Sequence, residues 1–381
     1  MNIVSVSALQ KIPAAKWDFL SGSRDPFLSH GVLAGMEMHG CLEGHGWYPA
    51  HLLAYENSEL VGALPLYLRD NSYGEFVFDW AWAEAYQRAG GRYYPKLVSA
   101  VPFTPVSGPR LLVAETYSDT DAIAQALISV ALETAREHAL SSWHCLFPSA
   151  EQLPFFSHPE LIVREGCQYH WINQGYASFD DFLATLNSKR RKEIRRERRE
   201  FVDLNLQFEV LEGSAITAKH WAVFYKFYCD TFDRKWGSPR LTEAYFNHLS
   251  ENNFPTPVLF LAKDGNDYVA GAFALRGPDT LYGRHWGCRG YIKNLHFELC
   301  YYRTIEYCIE HGLTRLDAGA QGEHKIPRGF TSQKTWSLHW IRDPGFRRAV
   351  ADFCRREQGH IADHIEAVDA HSAYRIAHEP S

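Results

Sequence analysis

The sequence predicts a mixed α/β fold (α+β, mixed sheet), built as two copies of one domain and closed by a helical tail. Three observations predict it. A segment of about two dozen residues starting at His51 recurs from Leu259. In each copy short apolar strands separated by turns lead into an amphipathic helix and a further strand. The chain has 381 residues, 46% of them apolar, enough for two separate cores.

The repeat compares HLLAYENSELVGALPLYLRDNSYG with LFLAKDGNDYVAGAFALRGPDTLYG. Leu53 and Ala54 match Leu261 and Ala262. After a one-residue insertion, Gly62, Ala63, Leu66, Tyr73 and Gly74 match Gly271, Ala272, Leu275, Tyr282 and Gly283. These seven identities exceed what chance gives at roughly 6% per position. The first copy reads as strands over 52–55, 60–68 and 75–80. In the second, Asp264-Gly265-Asn266-Asp267 is a hairpin signal, because Gly and Asn tolerate positive φ. A helix over 121–138 and a strand over 143–147 complete the first half. In the second half a helix over 297–311 runs through Gly312, a C-cap residue, into a strand over 315–317. The expected domains are 1–165 and 166–343. The tail, 344–381, carries Phe346, Val350, Phe353, Ile361, Ile365 and Val368 at helical spacing and is expected to pack on the body.

The net charge of −6 excludes a surface that binds nucleic acid or acidic membrane as a whole. No apolar run reaches the ~18 residues of a membrane span, and the first residues lack the basic and apolar regions of a secretory signal. The eight cysteines form no C-x-x-C pair and no zinc spacing, so reduced thiols, a cytoplasmic location and no metal site are expected.

The order of elements is similar to the GNAT (N-acetyltransferase-like) fold, and two such domains in one chain resemble the Fem family. Those transferases add amino acids to peptidoglycan precursors from aminoacyl-tRNA. The segments Lys189-Arg190-Arg191-Lys192-Glu193-Ile194-Arg195-Arg196-Glu197-Arg198-Arg199 and Asp317-Ala318-Gly319-Ala320-Gln321-Gly322-Glu323-His324-Lys325-Ile326-Pro327-Arg328-Gly329-Phe330 resemble the bacterial FemAB-like group, labelled peptidoglycan biosynthesis or recognition protein. The resemblance implies an acyltransferase that joins an activated acyl or aminoacyl donor to a small-molecule or peptide-like amine, such as a cell-wall precursor. It implies aminoacyl-tRNA or acyl-CoA as donor, tRNA as a partner, and no tightly bound cofactor. Two alternatives stand beside it: an acyl-CoA-dependent N-acetyltransferase, and a non-catalytic protein that recognises peptidoglycan or RNA. Where Fem enzymes carry Phe-Lys before a Gly-Phe, this chain has Ile326-Pro327, with cations at Lys325 and Arg328. Arg284-His285-Trp286-Gly287-Cys288-Arg289-Gly290 approaches the CoA-pyrophosphate loop of acetyltransferases, with the second Gly displaced by one.

Amide formation needs a base for the amine, stabilisation of the oxyanion and a means of holding the reactants. The loop after the strand ending at Asp317 supplies candidates: Glu323 or His324 as base, and Gln321, Lys325 and Arg328 to bind an anionic reactant. Asp317 would orient His324 or bind the amine. Tyr302, four residues after Glu298 on a helix, is a candidate general acid. Arg284 and His285 alternate across a strand, so one of them faces the cleft, with Trp286 beside them. Asp79, Trp80, Trp82, Tyr86, Tyr94 and Lys96 form an aromatic, charged stretch expected to line the acceptor cleft. Eight of the eleven residues 189–199 are Lys or Arg. Arg190, Arg191, Arg195 and Arg198 are the expected anion-binding residues; the alternative is a solvated helix paired with Glu193, Glu197 and Glu200.

Overall fold

The computed structural model describes residues 1–22, 25–114, 116–117, 119–234, 237–251, 255–320 and 322–375. They form two compact units, Met1–Cys167 with Lys334–Asp363, and Gln168–Gln333 with His364–Ser381. The first unit contains β1 (Asn2–Val6), α1 (Ala14–Ser21), α2 (His30–Met38), β2 (Trp47–Pro49), β3 (His51–Glu56), β4 (Glu59–Leu64), β5 (Tyr67–Arg69), α3 (Trp80–Arg88), β6 (Lys96–Ser99), β7 (Leu112–Val113), α4 (Thr120–Glu137) and β8 (Ser142–Leu146). The strand β9 (Ile162–Ile172) leads into the second unit. There follow α5 (Phe179–Thr185), α6 (Ser188–Asp203), β10 (Gln207–Glu212), α7 (Ala218–Asp233), α8 (Glu243–Ser250), β11 (Thr256–Asp264), β12 (Asp267–Arg276) and β13 (Thr280–Cys288). Then come α9 (Leu295–Phe297), a π-helical turn (Glu298–Tyr302), α10 (Arg303–Glu310) and β14 (Arg315–Asp317). Finally β15 (Thr331–Ile341) and α11 (Pro344–Ala370) carry the chain back through the first unit. The second domain therefore does not run unbroken to 343, because Ser337–Ile341 of β15 pair with β8.

In the first unit one sheet has the order β1-β3-β4-β7 and another runs β15-β8-β6-β5-β2. The core packs α4, through Ile123, Leu127 and Ala131, onto Leu52, Val61, Leu64 and Trp143. Residues 60–68 are not one strand: β4 stops before Pro65, which has no amide proton for the ladder, and β5 starts at Tyr67. The strand expected over 75–80 is a loop entering α3, which buries Trp82, Ala83 and Tyr86 at helical spacing. These pack with Val350 and Cys354 of α11, beside Phe346. In the second unit the order is β10-β11-β12-β13-β14-β9. Among the described residues only β13 and β14 pair in parallel there, which requires the helical crossover of α9 and α10.

The duplication is clearest in the hairpins β3–β4 and β11–β12. Both turn through two residues, Asn57-Ser58 and Gly265-Asn266. Both bulge at the same step: Val61 is extra between the pairs Ala54↔Gly62 and Tyr55↔Leu60, and Val269 between Ala262↔Ala270 and Lys263↔Tyr268. This register needs no insertion, so Gly62 corresponds to Ala270 rather than to Gly271. Tyr73 and Tyr282 are not equivalent either. Tyr73 lies in a turn, 64% exposed, whereas Tyr282 is buried in β13.

Candidate functional site

In the second unit β14 ends at the buried Asp317. Its Oδ1 accepts from the Gly319 amide at 2.9 Å, and its Oδ2 lies 3.6 Å from Nε2 of the buried His170 in β9. Lys325 is fully buried and its Nζ donates to the Gly319 carbonyl. Burial pulls the Lys325 pKa down to about 8, against the pull of the Asp317 carboxylate. Arg284 is the extra residue of a bulge opposite Phe273 and Ala274, so strict alternation with His285 is lost there. Burial lowers its pKa to about 10, again opposed by Asp317. Asp317 is thus the shared counter-charge of two cations. His285 stacks on Phe273, 6.4 Å between centroids and 9° between planes. Burial, then Arg284 and Arg240, lower its pKa to about 3, so it is neutral near pH 7. Trp286 meets His296 edge-on at 5.1 Å.

His324 is exposed on the 3-10 turn Glu323–Arg328, as is Glu323. Its Nε2 is hydrogen-bonded to the Tyr301 hydroxyl at 2.7 Å, so Tyr301, and not Asp317 as expected, is its orienting partner. Partial burial, followed by the Lys325 and Arg328 charges, lowers the His324 pKa and keeps the imidazole neutral near pH 7. A Cβ on Gly322 (φ 114) would stand 2.3 Å from the ring, so only glycine lets the ring fold back there.

Two other residues of this group are committed to structure. Arg328 is buried; it donates to Glu197 at 2.8 and 3.0 Å, to the Tyr302 hydroxyl at 2.9 Å and to the His324 carbonyl at 2.8 Å, and lies 3.5 Å over Phe297. It has no edge left for a substrate. Tyr302 is fully buried, donates to Glu197, and burial drives its pKa far up, so it is no general acid. The π turn breaks the i,i+4 neighbour relation with Glu298, which instead binds Arg198 and Arg303. Gln321 lies outside the described residues.

The first unit holds a buried charged cluster. Lys96, with no exposed surface, donates to Asp79 at 2.6 Å, Ser72 at 2.7 Å and Glu75 at 2.8 Å. Asp79 also accepts from Tyr93 at 2.7 Å, and Tyr94 bonds Ser72 at 2.8 Å. Arg69 donates to Glu75 at 3.2 Å and lies 3.8 Å over Trp47. Asp79, Lys96, Trp82 and Tyr86 are therefore interior and do not line an open cleft. Trp80 alone of the six expected residues is exposed, at 40%, tilted on Tyr73.

Beside this cluster Nδ1 of His144 and Nδ1 of His339 are 2.6 Å apart and share a proton. Burial, then Lys96, lowers the His144 pKa to about 3, and burial holds His339 well below 6.5. Both are neutral when folded, whereas an unfolded histidine takes a proton near pH 6.5. Their stabilisation is complete above that pH and is lost as pH falls from about 6.5 toward 3. Denaturant titrations at pH 7.5 and 5.5 should show about 1–3 kcal/mol less stability at the lower pH.

A family model described as FemAB-like, peptidoglycan biosynthesis/recognition, matches residues 8–376. The chain belongs to the FemAB-like family. The structure named FemX superposes with a TM-score of 0.53 at 11% identity, covering 92% of this chain and 100% of that one. The C-terminal domain of a putative lysylphosphatidylglycerol synthetase from Agrobacterium fabrum gives 0.54 at 8% identity, covering 89% and 95%. L-PGS from Bacillus licheniformis gives 0.51 at 10%, covering 86% and 94%. At these identities the likeness is one of fold: a tandem GNAT-like α/β architecture with a C-terminal helix. No match was found among curated protein sequences. Among the described residues no helix is long and apolar enough to cross a membrane.

In this FemAB-like chain the basic segment is α6, and the four cations expected to bind anions all have partners within the protein. Arg190 pairs with Glu193 at 2.9 Å, Arg191 reaches the Leu186 carbonyl at 3.3 Å, and Arg195 pairs with Asp180 at 2.9 Å. Arg198 is held by Glu298 at 3.1 Å and Glu306 at 2.6 Å. The exposed cations with no ion pair among the described residues are Lys189, Lys192, Arg196 and Arg199. They share one helix face over roughly 15 Å. Reversing these four to Glu should remove salt-dependent retention on heparin, since exposed phosphate- or sulfate-binding cations set the salt slope. Retention unchanged by the fourfold variant would leave the row a merely solvated face.

The near-match to a pyrophosphate loop has a packing explanation in the FemAB-like chain. Gly287 lies inside β13, where a Cβ would stand 2.1 Å from the Phe227 carbonyl of α7. The start of α9 is also occupied: Asn294 and Lys293 hold the Glu200 carboxylate at 3.0 and 3.3 Å. The sequence reading missed Tyr301, His170, Glu75, Arg69 and the two histidines of the first unit. Only Tyr301, beside Tyr302, carried a local signal.

Proposed function

We propose that this FemAB-like protein joins an acyl or aminoacyl donor to an amine acceptor, with the loop 318–330 at the reacting centre. The observation that carries the reading is the exposed, neutral His324, fixed by Tyr301 next to the Asp317, Lys325 and Arg284 cluster. The amine gives a proton to the His324 imidazole as its nitrogen attacks the donor carbonyl. The tetrahedral oxyanion forms in the positive field of Lys325 and Arg284. On collapse the imidazolium returns its proton to the leaving oxygen or sulfur of the donor, and the amide is released.

A peptidoglycan precursor amine as acceptor follows the family description. Aminoacyl-tRNA is favoured as donor over acyl-CoA, because Glu200 places negative charge where a pyrophosphate would approach the helix start; such a donor implies reaction in the cytoplasm. Mass spectrometry of ligands that co-purify with the full chain tests the reading. Bound tRNA supports it. Bound CoA would move the donor to the acetyltransferase alternative. A bound muropeptide without turnover would make the protein a recognition module.

A further inference from the structure

A groove of about 420 Å³ opens in the second unit among α5, α6, β10 and α10. None of the residues lining it belongs to the loop 318–330. Two arginines form walls of this groove. Arg198 lies 4.6 Å over the Phe179 ring and Arg303 lies 4.5 Å over the Phe208 ring. The same two carboxylates pin both. Arg198 donates to Glu298 at 3.1 Å and to Glu306 at 2.6 Å, while Arg303 donates to Glu298 at 2.8 Å and pairs with Glu306 at 3.7 Å.

This arrangement has a chemical consequence. The carboxylates satisfy the guanidinium edges and cancel their charge, so the groups have little to give a bare anion. Their side chains nevertheless stay 20% and 33% exposed where they line the groove. What a rigid, edge-bonded guanidinium offers is its planar face, which stacks on aromatic rings. Phe201 and Leu206 add apolar wall. Arg195 and Arg199, both exposed, also line the groove, whose four arginines outnumber its carboxylates Asp180, Glu298 and Glu306 by one. Arg199 has no ion pair among the described residues. Arg195 pairs with Asp180, but these side chains are 52% and 79% exposed, and such a pair is worth little.

We propose that this groove is a binding site for a planar aromatic ring bearing an anionic group. The ring stacks on the guanidinium faces of Arg198 and Arg303, and the anion is taken by Arg199 and Arg195. An inorganic anion alone would gain nothing from the apolar walls, and an uncharged aliphatic chain would leave the two cations unused. The required chemistry is found both in a nucleotide and in an aromatic carboxylic acid. The site goes beyond the acyl-transfer reading and is read by binding alone, so its failure leaves the role of His324 standing.

Calorimetric titration of the full chain with adenosine 5′-monophosphate, 2-naphthoate, adenosine and inorganic phosphate tests it. At least one of the two aromatic anions should bind about tenfold or more tighter than both adenosine and phosphate, a difference of about 1.4 kcal/mol. Binding of the nucleotide but not of naphthoate assigns the ligand to the nucleotides, and the reverse assigns it to aromatic acids. The Arg195→Glu/Arg199→Glu variant, altered only at exposed positions, should lose about tenfold or more in affinity. Failure of both aromatic anions to bind, phosphate or adenosine binding as tightly as they do, or parental affinity in the double variant would each overturn the proposal.

Discussion

Replacing His324 by alanine is expected to slow amide formation by about 10²–10⁴-fold, the usual cost of a lost general base. The side chain is exposed, so the fold should survive the change. The pH profile adds a second readout. His324 works as a base only when neutral, and its pKa lies below the ordinary histidine value because of burial and the Lys325 and Arg328 charges. The rate should therefore hold down to a pH below about 6.5 and fall as pH drops through the folded pKa. Removing one of those charges with Lys325→Met should raise that pKa and move the acid limb to higher pH. Tyr301→Phe keeps the ring and loses the hydrogen bond at Nε2; it should lower kcat more than it raises KM, because orientation of the base is felt in the transition state. Glu323→Gln should have little effect by comparison, since Glu323 is exposed and His324 already fills the role of base.

The largest effect on stability is expected in the first unit. Lys96→Ala should cost about 3–5 kcal/mol, because it leaves the buried carboxylates of Asp79 and Glu75 without their common cation. Burial already raises the Glu75 pKa, so in the variant this carboxyl would take up a proton first. The combination Lys96→Met with Asp79→Asn should recover part of the loss, since removing both partners leaves less uncompensated charge. Urea denaturation of the three proteins checks the order. A single-variant loss below about 1 kcal/mol would mean that water reaches the cluster.

The fold was legible where local signals carry it. The hairpins, α4, β8, α6 and β14 stand where apolar spacing and turn residues put them. The alignment of the repeat slipped by one residue because the identical pairs Gly62-Ala63 and Gly271-Ala272 favour an insertion, whereas the shared bulge at Val61 and Val269 keeps the two hairpins in step without one. The pairing of Glu298 with Tyr302 assumed an α-helix, and the π turn rotates them apart. The loop after Asp317 drew attention through its glycines and charges, and it does hold an exposed histidine among cations. Which cation stays available was not legible, because Arg328 is neutralised by Glu197, 131 residues earlier in the chain. The same distance problem hides His144 and His339, 195 residues apart, and it turned Asp79 and Lys96 from expected cleft residues into a buried network.

Amide formation at the loop 318–330 requires the His324 imidazole. It is tested most directly by mass spectrometry of a muropeptide amine incubated with the protein and with aminoacyl-tRNA or acetyl-CoA, comparing the parent chain with His324→Ala. With the parent the acceptor should gain the mass of one aminoacyl or acyl group, and with His324→Ala it should do so about 10²-fold or more slowly. Acylation at equal rates by the two proteins would contradict it.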